Sequence, residues 1–185
     1  LKNYLSRYPD ALIHMEVENT SALLERLDEG KIDFALVEGF FKKSEYDYLP
    51  FSTENYVLVC AGGYRFSKEP ERVEDLFGER LLLREQGSGT REVLERFLNS
   101  QNYSLDDFKQ SMEVGSLQTI KELTKSGCGI TFLYEVAVRE ELENGELHKI
   151  VLKDFQVSHE FTFIWRRGSI YAERYREIFR RLSEK

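Results

Sequence analysis

The sequence predicts an α/β protein made of two units with a similar rhythm. Three observations carry this. Amphipathic helical stretches alternate with short apolar runs, the pattern of strands buried beneath helices. The run "REQGSGTREVLERFL", Arg84 to Leu98, sets a glycine-rich loop between Leu81-Leu82-Leu83 and a helix whose Val93, Leu94, Phe97 and Leu98 share one face. An extended stretch, Tyr46 to Ala61, divides a first helix–strand series from a second.

In chain order, "LKNYLSRYPD" reads as a helix with Leu1, Leu5 and Tyr8 on one side, stopped before Pro9. "ALIHMEV" (11–17) is predicted as a strand, which makes His14 a packed residue. "NTSALLERLDEGK" (19–31) is a helix capped by Asn19 or Thr20 and closed near Gly30. "IDFALVEGF" (32–40) is a strand apolar enough for burial on both faces. The stretch from Tyr46 to Ala61 is extended, with a break around Pro50.

In the second series a charged linker and short helix, Phe66 to Phe77, precede the Leu81 strand. "FKQSMEV" (108–114) is a strand, and "GSLQTIKELTKSG" (115–127) is a helix striped by Leu117, Ile120 and Leu123, capped by Ser116 and stopped by Gly127. "CGITFL" (128–133), "ELHKIVL" (146–152) and "HEFTFIWRR" (159–167) are strands, and "YEVAVREELENG" (134–145) is a helix ending at Gly145. The final helix buries Tyr171, Tyr175, Ile178, Phe179 and Leu182. Such alternation implies a parallel sheet. A parallel sheet with right-handed crossovers normally starts on a strand, yet this chain starts on a helix and without Met, so a preceding strand is expected upstream of Leu1.

The 185 residues are 41% hydrophobic, 13% aromatic and 32% charged, enough for a real core and a well-solvated exterior. Only 3 prolines and no low-complexity tract argue against disorder. A net charge of −7 disfavours a surface that grips nucleic acid by neutralising phosphates. No apolar run approaches the roughly 20 residues of a membrane span, and no signal-peptide pattern is present. Cys60 and Cys128 lie far apart without metal-type spacing and read as two buried thiols in a reducing cytoplasm.

The loop Gly87-Ser88-Gly89-Thr90 carries the most chemistry. At a helix N-terminus the first amide N–H groups lack intrahelical partners and the dipole is positive, which suits an anion. Ser88 and Thr90 offer hydroxyls, and the amides of Gly89, Thr90 and Arg91 can point at one oxyanion. The same pattern also fits a well-capped helix after a tight turn. It is not a phosphate-binding P-loop, because no Gly-Lys-Ser/Thr follows. Glu92 opposes a bound dianion unless it points outward.

Ser116, with Leu117 after it, opens a second helix directly after a strand, either as a binding hydroxyl or simply as a cap. Glu38 and Gly39 follow a strand and so fall at a carboxyl edge, where ligands of open α/β sheets collect. Glu38 suits an amine or hydroxyl of a ligand, or is a solvated loop acid. His14, His148 and His159 are scattered without HxH or HxxxH spacing, so no zinc site is expected. No Cys–His or Ser–His arrangement is legible, although triads are not local in sequence. No catalytic residue, metal or cofactor is predicted. Arg166, Arg167 and the arginines of the last helix read as a solvated face.

Three stretches together resemble a known family. "LSRYPDALIHMEVENTSALLERLDEGKIDFALVEG" resembles the start of the effector-binding domain of LysR-type transcriptional regulators, and "REQGSGTR" resembles the effector loop of their CysB-like and CbbR-like members. "SLQTIKELTKSGCGITFLYEVAVREELENGELHKI" resembles the family stretch from the effector helix through G-x-G-I to its "el-x-x-G-x-L" ending. The resemblance implies a fold like type 2 periplasmic binding proteins. In it two Rossmann-like subdomains, 1–57 with 161–185 and 58–160, are joined by two crossover strands, matched by Tyr46–Ala61 and Phe161–Arg167.

An effector would lie in the cleft between the subdomains. Gly87, Ser88, Gly89, Thr90 and Arg91 match the effector loop, Ser116 and Leu117 the second cleft helix, and Glu38 and Gly39 the first-subdomain edge. Many members have Leu-Pro after G-x-G-I. Here Leu133-Tyr134 stands instead, and Tyr134 would reshape the pocket. The implied protein is a cytoplasmic regulator that senses a small anionic metabolite. It forms a homodimer or tetramer, pairing antiparallel through the helix around Leu1 to Arg7 and its neighbouring strand. It contacts DNA only through a winged helix-turn-helix absent from this chain, and it does not engage a membrane. The rivals are a transport-type solute-binding protein and an enzyme on the same fold. The enzyme would need a convergent acid/base pair, which the sequence does not show.

Overall fold

Asn19 shows how local chemistry sets the elements: its side chain accepts from the Ala22 N–H at 3.0 Å and starts a helix that Gly30, at φ 71°, ends. The computed structural model describes residues 2–183. Their elements run α1 (Lys2–Arg7), α2 (Thr20–Asp28), β1 (Ala35–Val37), β2 (Tyr46–Ala61), β3 (Arg80–Leu83), α3 (Gly89–Ser100), β4 (Gln110–Glu113), α4 (Leu117–Lys125), β5 (Ile130–Tyr134), α5 (Arg139–Glu143), β6 (Leu147–Ile150), β7 (Val157–Arg166) and α6 (Ala172–Ser183). They form two compact units. One holds the described residues up to Ser52 and from Glu160 onward, and the other is Thr53–His159. The unit boundaries fall within β2 and β7.

In the first unit β1 pairs antiparallel with β7, Ala35 opposite Ile164 and Val37 opposite Thr162. One face packs Ala35, Val37 and Ile164 against Leu27 of α2 and against Tyr46, whose hydroxyl donates to Asp28 at 2.8 Å. Another cluster gathers Phe163, Trp165 and Tyr175 of α6, with Phe34 and Phe179 against them.

In the second unit the strands run in the order β4-β3-β5-β2-β6. β3 is parallel to both its neighbours, β4 and β5, whereas β2 runs antiparallel to β5 and β6. Val57, Val59, Leu82, Ile120 and Leu133 form its core, covered partly by Leu117, Leu123 and Leu142. The three parallel strands send their carboxyl ends to one edge. β4 leads into α4, β3 into α3, and β5 into a 3-10 turn, Glu135–Ala137. This edge positions the candidate site.

Several expectations are corrected. The sheet is mixed rather than parallel, because β2, β6 and the β1–β7 pair run against their neighbours. Residues 11–19 form no strand. No described strand pairs with them, and Leu12, Met15 and Val17 face solvent. His14 is accordingly exposed and pairs with Glu16 at 3.1 Å rather than packing. The second predicted strand shortens to Ala35–Val37 and is buried on one face only, Leu36 being 44% exposed.

β2 continues through Pro50 without a break, since an exposed position tolerates a missing N–H. The predicted helix at 66–77 is reduced to a 3-10 turn, Val73–Leu76, and the one at 134–145 splits at Val138. Tyr171 is exposed, and Cys128 is only half-buried, unlike Cys60.

Gly129 marks where β3 and β5 approach closely. A Cβ added there would collide with the Arg80 carbonyl oxygen, whereas Gly63 faces open space. Gly129→Ala is therefore expected to lower stability by about 1–3 kcal/mol, the usual cost of overpacking. Gly63→Ala is expected to stay within about 0.5 kcal/mol. Urea unfolding of both variants measures the difference.

Candidate functional site

The parallel edge of the second unit brings most of the predicted residues into one neighbourhood. Gly87–Arg91 follow β3, Ser116 and Leu117 follow β4, and Tyr134 closes β5, with β3 central among the three strands. Glu38, half-buried, and Gly39, buried, follow β1 in the other unit.

The loop is a tight turn. The Ser88 N–H donates to the Glu85 carbonyl at 3.2 Å, and Gly87 takes φ 88°, a left-handed conformation that glycine adopts without a Cβ penalty. Ser88 is the N-cap residue of α3, and its carbonyl accepts the first helical bond from Glu92 at 3.0 Å. Its side chain does not cap. Ser88 is 1% exposed, and its Oγ has no hydrogen-bond partner in the protein. A buried hydroxyl left without a bond costs about 1–3 kcal/mol. Thr90 is buried beside it, and the Tyr56 hydroxyl donates to the Thr90 carbonyl at 2.7 Å, pinning the first turn of α3 to β2.

Around this helix start every guanidinium is held by a carboxylate. Arg84 grips Glu85 with Nε to Oε2 at 2.8 Å and Nη2 to Oε1 at 3.0 Å. Arg91 bonds Glu95 at 2.7 Å and Glu113 at 2.6 Å. Burial opposes the Arg91 charge, but those two carboxylates outweigh it and hold the side chain protonated above its ordinary range. Glu92 pairs with Arg96 at 2.8 Å, one turn along the helix, so its charge is drawn away from the loop. An anion at α3 would thus meet amide dipoles and the Ser88 hydroxyl rather than an uncommitted cation.

Ser116 caps α4, its Oγ accepting from the Thr119 N–H at 3.3 Å, and it is exposed. Leu117 belongs partly to the core. Tyr134 is buried, its ring edge-on to Tyr56 at 5.2 Å.

Sequence reasoning missed one residue of the same kind. Thr20, the first residue of α2 in the other unit, is 5% exposed and its Oγ1 has no protein partner, because Asn19 already provides the cap. The signal was a Thr directly after an Asn competent to cap.

Two concavities lie elsewhere. A groove of about 600 Å³ in the first unit is lined by Tyr4, Arg7, Tyr8, Arg174 and Arg181. One of about 350 Å³ in the second surrounds Asn55, Glu135 and Arg139. In the first, Arg181 is bonded to Glu177 at 2.6 Å and stacked 5.5 Å from the Tyr8 ring. Among the described residues no group of three His, Cys, Asp or Glu converges as a metal site.

The family model for the LysR substrate binding domain matches residues 1–185. An uncharacterized HTH-type transcriptional regulator, MJ0300, of Methanocaldococcus jannaschii is 27% identical over 158 residues, covering 85% of this chain and 53% of that protein. The chain spans about half the length of the first curated relatives it matches. Among solved structures, the Synechocystis PCC6803 CcmR regulatory domain in complex with 2-PG superposes with a TM-score of 0.83 at 19% identity, covering 100% of this chain and 89% of that one. The effector-binding domain of QuiR in complex with shikimate gives 0.79 at 13%, covering 98% and 87%.

Replacing the orphaned hydroxyl separates binding from folding. Ser88→Ala is expected to leave the ligand-free chain as stable as the wild type or up to about 1 kcal/mol more stable, since it removes a buried unsatisfied group. Ser116→Ala, which deletes a working cap, is expected to cost about 1 kcal/mol. Thermal and urea unfolding of the two variants give the comparison.

Proposed function

The chain belongs to the LysR substrate-binding domain family, and we propose that it senses a small anionic metabolite at the start of α3. Its fold is the type 2 periplasmic-binding-protein-like fold of that family's regulatory domains. The observation that supports the site most strongly is the Ser88 hydroxyl, buried without a protein partner at the N-terminus of a 12-residue helix. Helix amides, a positive dipole end and an uncommitted hydroxyl together form a receptor for an oxyanion. Gly87, Gly89 and Arg91 contribute backbone to it, and Thr90 contributes its hydroxyl as well as its backbone. Ser116, Leu117 and Tyr134 line the same strand edge.

The matching relative is named as a transcriptional regulator, and two proteins of similar fold are complexes with small molecules, 2-PG and shikimate. Both facts favour a sensor over a transporter or an enzyme. In the whole protein, of which this chain would be a part, effector binding shifts the balance between two conformations and so alters DNA binding by a segment outside the chain. A homodimer or tetramer in the cytoplasm belongs to the same proposal. No described helix is long and apolar enough to cross a membrane.

A thermal-shift screen over carboxylates, sulfate and phosphate esters tests the site. A ligand at about 100 times its dissociation constant stabilises the fold by about 2.7 kcal/mol, several degrees in a domain of this size. Thr90→Val keeps the shape of the loop but removes a hydroxyl. It is expected to weaken the hit by about 1.5–3 kcal/mol, the loss of a hydrogen bond to a charged group. A broad panel in which nothing moves the melt contradicts the proposal.

A further inference from the structure

We infer that the groove of the first unit, walled by α1 and α6, is a second binding site and takes a small aromatic acid with a single negative charge. It is carried by residues other than those at the start of α3 and does not depend on the effector reading above.

Helical spacing divides α6 into two faces. Tyr175, Phe179 and Leu182 turn into the aromatic core of the unit. Arg174, Glu177, Ile178 and Arg181, at steps of three and four residues, turn to the groove of about 600 Å³. That volume suits one small molecule. The other wall is α1 and the residue that follows it. The Tyr8 N–H donates to the Tyr4 carbonyl at 3.0 Å, which sets the two tyrosines one turn apart, and their rings lie side by side with centroids 5.0 Å apart.

Three guanidiniums line this groove and one is committed. Arg181 is held by Glu177 at 2.6 Å and lies over the Tyr8 ring at 5.5 Å. Its hydrogen bond is the main cause that holds the Glu177 carboxyl below its ordinary range, with the charges of Arg181, Arg180 and Arg7 adding to it. Arg7 and Arg174 form no hydrogen bond or ion pair among the described residues. With Arg181 and Glu177 paired, the charges left in the lining are these two arginines and Asp10, a net of one positive. This local excess sits in a protein whose net charge is −7.

The ligand class follows from these parts. A guanidinium fork matches a carboxylate. The Tyr4 and Tyr8 rings, with Ile178 opposite on α6, offer a flat apolar wall that an aromatic ring covers face-on or edge-on. The net of one positive charge matches a monoanion. An aliphatic acid brings the charge without the ring, and an inorganic dianion brings excess charge and no apolar body.

The test is an NMR titration of the 185-residue chain with benzoate, acetate and inorganic phosphate. The Tyr4, Tyr8 and Ile178 side-chain resonances report the groove, and the Gly89 and Thr90 amides report the α3 site. Benzoate is expected to saturate the groove about tenfold more tightly than acetate does, the gain from ring contact. Phosphate should leave the groove resonances in place. Arg7→Gln and Arg174→Gln replace exposed, unpartnered side chains and so keep the fold. Each should weaken benzoate in the groove by about fivefold and leave the Gly89 and Thr90 response unchanged. Acetate that fills the groove as tightly as benzoate overturns the inference, as does benzoate binding that both arginine variants leave unaltered. Groove resonances that move when the ligand-free chain is diluted also overturn it, since a second copy then occupies the face. A groove unmoved by benzoate overturns this inference alone, and α3 amides unmoved by all three anions overturn the effector reading alone.

Discussion

The hydroxyl of Ser88 is buried where the protein offers it nothing to bond, and the rest of the site follows from how the fold holds it there. β3 is flanked by parallel neighbours on both sides, so its carboxyl end emerges inside the sheet rather than at a margin. The chain must then reverse within the five residues 84–88 to start α3. Gly87 makes the reversal possible at φ 88°, and the Ser88–Glu85 bond closes it. The Tyr56 hydroxyl ties the first turn to β2. Each constraint pushes Ser88 inward, and an alanine there would avoid the desolvation cost. The proposed effector would give that hydroxyl the partner the protein does not supply.

The electrostatics of the second unit explain how such a site can exist in an acidic protein. Anion sites are commonly built from arginine, yet here Arg84, Arg91 and Arg96 are each engaged by carboxylates. In the proposed site recognition would fall to oriented dipoles, which attract one negative charge at short range and do little at distance.

Much of this was legible in the sequence, and the failures have identifiable causes. The loop, Ser116 and the stops at Gly30, Gly127 and Gly145 were readable because capping is local chemistry. Strand direction was not readable. The alternation of helix and strand implied a parallel sheet, but β2 runs antiparallel to β5 and β6 through pairings that no local pattern encodes. Residues 11–17 have a strand composition and no strand neighbour among the described residues, so propensity had nothing to pair with. Tyr134 was noticed as an unusual residue, but its edge-on packing against Tyr56 required the register of β2 and β5. Thr20 escaped because a threonine after an asparagine cap looks redundant until its hydroxyl is seen to be buried and idle.

The most direct measurement is the position of the Gly89 and Thr90 backbone amide resonances as an anionic ligand is titrated into the chain. The site described here predicts that these two protons move downfield in step with saturation, because they gain charge-assisted hydrogen bonds. It also predicts that Ser88→Ala shrinks the shift and weakens the affinity. Saturable binding that leaves both amides unmoved and instead shifts residues of the Tyr4, Tyr8 and Arg181 groove would contradict it.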